Sequence, residues 1–124
     1  MPWNAILADD GRRIETTYTG HVNPAELQAS FEAMVALVRE AGHGRILADT
    51  TLMEGGHSVI DLYFLADAIL ATGLGPKIRE AMLMPSLPDT AEKVRFWETT
   101  CANRGLNVRI FTDRGEALAW LHAA

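Results

Sequence analysis

Residues 48–62 read ADTTLMEGGHSVIDL, and they hold the densest set of reactive side chains in the chain. Asp49, His57 and Ser58 are the types that serve as orienter, base and nucleophile in acyl transfer. That chemistry needs hydrogen-bond reach in space. Neighbours in a chain seldom turn their side chains on each other, and no Gly-x-Ser-x-Gly elbow is present to expose the serine. A small hydrolase built on His57 and Ser58 is therefore the weakest of three functional readings. Ser58 has a simpler role. Ser58-Val59-Ile60-Asp61 is a capping arrangement, in which the hydroxyl accepts from a free helix-start amide and the acid returns a bond. His57 then reads as an exposed loop histidine, and Gly55-Gly56 as a flexible bend without phosphate-loop spacing.

Other chemistries find less support. His21, His43, His57 and His122 are scattered, with no pair at i, i+4 and no cysteine pair, so neither a metal site nor a cofactor is expected. Cys101 is the sole cysteine, which excludes an internal disulfide and fits a reducing compartment. It shares a helix face with Val94 and Trp97 and reads as packing. Trp3, Trp97 and Trp120 read as core or edge residues. The net charge is −5 and no basic run occurs, which argues against nucleic-acid binding. The N-terminus lacks a signal-peptide pattern. The oiliest stretch, Val59 to Leu74, is too short to span a bilayer and contains Asp61 and Asp67, so no transmembrane segment is expected. A cytoplasmic location is the expectation.

The elements that must position these residues can be read in order. The chain of 124 residues suits a single domain over 1–124. Two strands flank Asp10-Gly11, a two-residue hairpin signal, which makes the first pair antiparallel and puts strand one at an edge. Asn23, Pro24 and Glu26 start a helix with a stripe of Leu27, Phe31, Met34, Val35 and Val38. Gly42 and Gly44 end it. RILADT is a short strand that ends near Asp49. A second helix runs from Ser58 to Thr72, before Gly73. IREAMLMP reads as a strand over Arg79–Met84, with a helix as the rival. Asp89 with Glu92 opens a third helix, which Gly105 stops. LNVRIF is the last strand, and Asp113 with Glu116 caps a last helix. The order is ββαβαβαβα, an α/β fold with a mixed, mostly parallel sheet.

The second helix is apolar nearly all round, where a surface helix needs one stripe. Leu62, Leu65 and Ile69 form the longer aliphatic run and are assigned to the core. Ile60, Tyr63 and Asp67 are left as a partner or ligand surface. Such an excess suits a protein partner, a second subunit or the wall of a ligand cavity.

This order of elements resembles the STAS fold of anti-sigma factor antagonists. The closing stretch RFWETTCANRGLNVRIFTDRGEALAWL is similar to SpoIIAA-like proteins, which are grouped with STAS and CRAL-TRIO-type lipid-binding domains. The resemblance covers nearly the whole chain. Its most specific part is an aromatic helix, Asn103-Arg104-Gly105, a strand, Asp113, then Ala117-Leu118-Ala119-Trp120-Leu121. It implies a domain without catalysis that acts by binding proteins or by binding an apolar, lipid-like ligand; the apolar second helix and the loop before it add self-association as a homodimer to the protein-binding reading. In anti-sigma factor antagonists a strand ends near an acid, and an Asp-Ser-Ser-Gly-like segment then presents a serine to a partner kinase. Asp49 and Ser58 stand in comparable places, so Asp49, Thr50, His57 and Ser58 form the implied regulatory or binding loop. The segment here reads Gly56-His57-Ser58-Val59, without the Asp before the serine or the Gly after it, and departs from the phosphorylation pattern.

Overall fold

In the computed structural model, which describes residues 2–8 and 10–123, the chain follows the expected order. Strands β1 (Trp3–Leu7) and β2 (Ile14–His21) lead into helix α1 (Pro24–Ala41), then β3 (Gly44–Gly55) and α2 (Val59–Ala71). A short 3-10 turn at Gly75–Lys77 precedes β4 (Ile78–Leu83), followed by α3 (Pro88–Ala102), β5 (Asn107–Phe111) and α4 (Arg114–Leu121). The five strands lie side by side in chain order, β1 antiparallel to β2 and the rest parallel. The segment read as strand or helix, IREAML, is therefore a strand with a neighbour on each side.

Local sequence accounts for most of the boundaries. Asn23 Oδ1 accepts from the Glu26 amide at 2.8 Å, and Glu26 Oε1 accepts from the Asn23 amide at 3.0 Å. Gly42 ends α1 in the left-handed region at φ 77°, where an L side chain is disfavoured. Ser58 caps α2. Its hydroxyl accepts from the Asp61 amide at 3.3 Å, and Asp61 Oδ2 accepts from the Ser58 amide at 2.7 Å, a reciprocal cap that contributes about 1 kcal/mol.

Three expectations need correction. The hairpin is not a two-residue turn: the Ala8 amide bonds the Arg13 carbonyl at 2.9 Å, and Gly11 turns within that wider loop at φ 71°. The strand does not end at Asp49. It continues to Gly55, pairing Thr19 with Leu52 after one register shift and His21 with Gly55 after a second. Asp49 is accommodated because its carboxylate accepts from the Thr51 amide at 3.0 Å and the Thr51 hydroxyl at 2.7 Å, so the acid is satisfied within the strand. Helix α3 starts at Pro88, one residue before Asp89, because proline gives up an amide that has no partner there anyway. Leu87, at the cap position, makes no side-chain bond.

Alternation along the strands divides the core. Ile46 and Ala48 face α1, α2 and α3, whereas Leu47 faces α4 together with Ala81, Leu83, Ala117 and Leu121. Helices α1 and α3 lie against the sheet. Helix α2 packs mainly on α3 and α1. Its inner residues Leu62, Ala66 and Ile69 are buried, but Leu62 and Ile69 meet the sheet across a gap.

Candidate functional site

That gap is a cavity of about 60 Å³ between α1, α2, α3 and the sheet. It has room for about two waters by their share of liquid volume, or for a short alkyl group. Helix α2 contributes Leu62, Leu65 and Ile69, and α3 contributes Val94 and Trp97. Met34, Met53 and Met82 complete much of the wall, and methionine adapts readily to irregular space.

Into this apolar space point several polar groups. Pairing across the sheet gives a row of Ile14, Ile46, Glu80 and Val108, so a carboxyl stands among aliphatic neighbours. Trp97 Nε1 donates to Glu80 Oε1 at 3.0 Å. Burial pushes the Glu80 carboxyl above its ordinary value of 4.5, and the indole bond only partly offsets this. Tyr18 Oη and Ser30 Oγ lie 3.2 Å apart on another wall. Burial raises the Tyr18 phenol as well. Thr50 also lines the cavity, but its hydroxyl is given to the Leu83 carbonyl.

Glu80 sets up a pH-dependent stability. Folded Glu80 holds its proton to higher pH than the unfolded chain does. Its stabilising contribution is complete below the ordinary value of 4.5 and is lost as pH rises through the raised folded value. Glu80→Gln keeps the acceptor for Trp97 and removes the charge. The variant should match wild type near about pH 4 and exceed it by on the order of 1 kcal/mol near about pH 8. Urea denaturation at both pH values checks this. A constant difference between the two proteins would show that the carboxyl is not burdened by burial.

The loop around His57 closes one end of the cavity. Gly55 O accepts from the Val22 amide at 2.7 Å, and His57 Nδ1 lies 3.0 Å from Val22 O. Gly56, at φ 103°, makes this possible, since a Cβ there would lie 2.7 Å from both Val22 N and Val22 O. Gly56 therefore serves close approach, which corrects the reading of this position as part of a flexible bend. His57 is buried, at 8% exposure, which corrects the reading of an exposed histidine. Its burial holds its pKa below 6.5, with the Lys93 charge adding to the effect.

The residues singled out by sequence do not assemble into a triad. Ser58 Oγ donates to Asp61 Oδ2 at 3.0 Å, His57 Nδ1 turns to Val22, and Asp49 is held by Thr51. Asp49 and Thr50 lie within β3 rather than on a loop. Ile60 and Tyr63 do face outward as expected, and Val59 and Phe64 join them. Asp67 is exposed but already paired, with Arg104 Nε at 2.9 Å, and Arg104 also stacks 4.2 Å from the Tyr63 ring centroid. Cys101 is fully buried, which pushes its thiol far up and makes it unreactive. Among the described residues, no group of three His, Cys, Asp or Glu side chains is placed to hold a metal ion, and no helix is long and apolar enough to cross a membrane.

A five-stranded, mostly parallel sheet with this order, three helices on one face and one on the other, defines a SpoIIAA-like fold. The chain is similar to the crystal structure of an uncharacterised protein from the DUF3478 family, with a SpoIIAA-like fold, from Shewanella loihica PV-4. The two share 21% identity and a TM-score of 0.54, over 96% of this chain and 91% of that one. No protein-family profile and no curated protein matches the chain.

Proposed function

We propose that this chain is a non-catalytic binding module that takes a small ligand with an apolar body into the cavity beneath α2. The cavity carries this reading: apolar walls with a few convergent polar groups are the usual make-up of a small-molecule site. A second reading, a protein-interaction surface or homodimer, is supported by the outer face of the same helix. There Ile60 is 62% and Phe64 66% exposed, next to Val59 and Tyr63. The two are compatible, since α2 forms both the wall of the cavity and the exposed face.

Native mass spectrometry of freshly purified protein reports subunit number and retained ligand together. An amide NMR titration with propan-1-ol then tests the cavity directly. Shifts should concentrate at Leu62, Leu65 and Val94. Absence of any shift at millimolar alcohol, and with an acid, a phosphate or an amine of the same chain length, would overturn the ligand reading. A monomer at micromolar concentration that is unchanged by Phe64→Asp would overturn the interface reading.

A further inference from the structure

We propose that one end of the cavity is an oxyanion site, so that the ligand is a small apolar acid with its head at Thr90, Lys93 and His57 and its tail along α2. This rests on the ligand reading above and assigns the ligand's chemical class.

Thr90 is 2% exposed, lines the cavity, and its hydroxyl has no hydrogen-bond partner among the described residues. Its oxygen is not fully enclosed, so it stays reachable and can donate to a group that enters beside it. His57 has one ring nitrogen at Val22 O, and the other has no partner among the described residues. Lys93 is half-buried and has no carboxylate within ion-pair distance among the described residues. These groups converge. A side chain begun at Gly55 would stand 3.8 Å from Lys93 Nζ and 4.0 Å from Thr90 Oγ1, so the glycine leaves open the space that both atoms approach. Helix α3 begins here without a side-chain cap, so its positive end and its first amides favour an anion at the same place. His57 faces Lys93 from α3 and Asp61 from α2. With Nδ1 donating to the Val22 carbonyl, the other nitrogen of the neutral ring is an acceptor, and it donates to an anion only once the ring is protonated.

The other end of the cavity suits a tail. Trp97 follows Thr90 by two turns of α3, about 10 Å along the axis. Val94, Leu62 and Leu65 lie among the walls. At that end Glu80 is hydrogen-bonded to the Trp97 indole and favours its neutral form, which a tail tolerates better than a carboxylate.

Calorimetric titration of the full chain with propanoate, propyl phosphate, propan-1-ol and propylamine tests this. At least one of the two anions should bind about tenfold more tightly than the alcohol, and the stronger of them names the head group. Lys93→Met should abolish that advantage and leave alcohol binding within about twofold. Alcohol binding equal to anion binding would overturn the oxyanion site and leave the cavity reading standing. So would an anion advantage that survives Lys93→Met. Preference for the amine would overturn it and assign Glu80 as the head-group partner. Failure of all four probes to bind would overturn both readings.

Discussion

Gly56→Ala should destabilise the protein by about 3 kcal/mol or more, the sum of a left-handed backbone penalty and an overpacked contact. Gly56 holds φ 103°, and the new methyl would press on the backbone of Val22, with three atoms within 2.9 Å. Backbone on both sides leaves little room to give. Gly11→Ala is the control. It also has a positive φ, at 71°, but an added methyl there meets nothing within 4 Å. It should cost only about 1–2 kcal/mol. Denaturation midpoints of the two variants separate conformational strain from collision. Equal losses would remove the close approach as the reason for glycine at 56. The His57 ring signals should also shift in Gly56→Ala, because that approach is what brings Nδ1 to the Val22 carbonyl.

Trp97→Ala should cost about 3–5 kcal/mol, the range for deleting a buried indole. Trp97 is 6% exposed and packs in the main core. The variant also removes the hydrogen-bond donor to Glu80 and enlarges the cavity. Trp97→Phe separates these effects, since it keeps much of the ring volume and loses the indole N–H. It should be less damaging and should raise the Glu80 carboxyl further. Thermal unfolding of the pair, with the Glu80 carboxyl followed by NMR, reads both. A loss under about 1 kcal/mol in Trp97→Ala would mean that the indole is not a structural wall of the cavity.

Much of this fold could be read along the chain because its boundaries are set by local chemistry. Asn23 with Glu26, and Ser58 with Asp61, close their caps within three residues. The period of Leu27, Phe31, Met34 and Val38 needs only a helix to become a buried face. Features set by distant partners were harder to read. His57 is buried because Val22, at the end of another strand, comes to meet it. The extension of β3 beyond Asp49 depends on pairing with β2. Glu80 goes unmarked along the chain because it stands in no capping, metal-binding or catalytic spacing. One signal was available: Ile78, Glu80 and Met82 alternate on a single face of a strand that must be covered, which puts the acid inside. The cavity itself could not be read, because it depends on how far α2 stands from the sheet.

The strand order carries a consequence for where any ligand can sit. In doubly wound α/β proteins the order of strands reverses, neighbouring crossovers part to opposite faces, and a crevice opens at the carboxyl edge of the sheet. Here the order runs β1 to β5 without reversal, and all three crossover helices cover the same face. No such crevice forms, so a binding space has to be made beneath the helices rather than between diverging loops. That space is partly open, and its roof is α2, which is braced by its neighbours more than by the sheet, and whose outer surface is itself apolar.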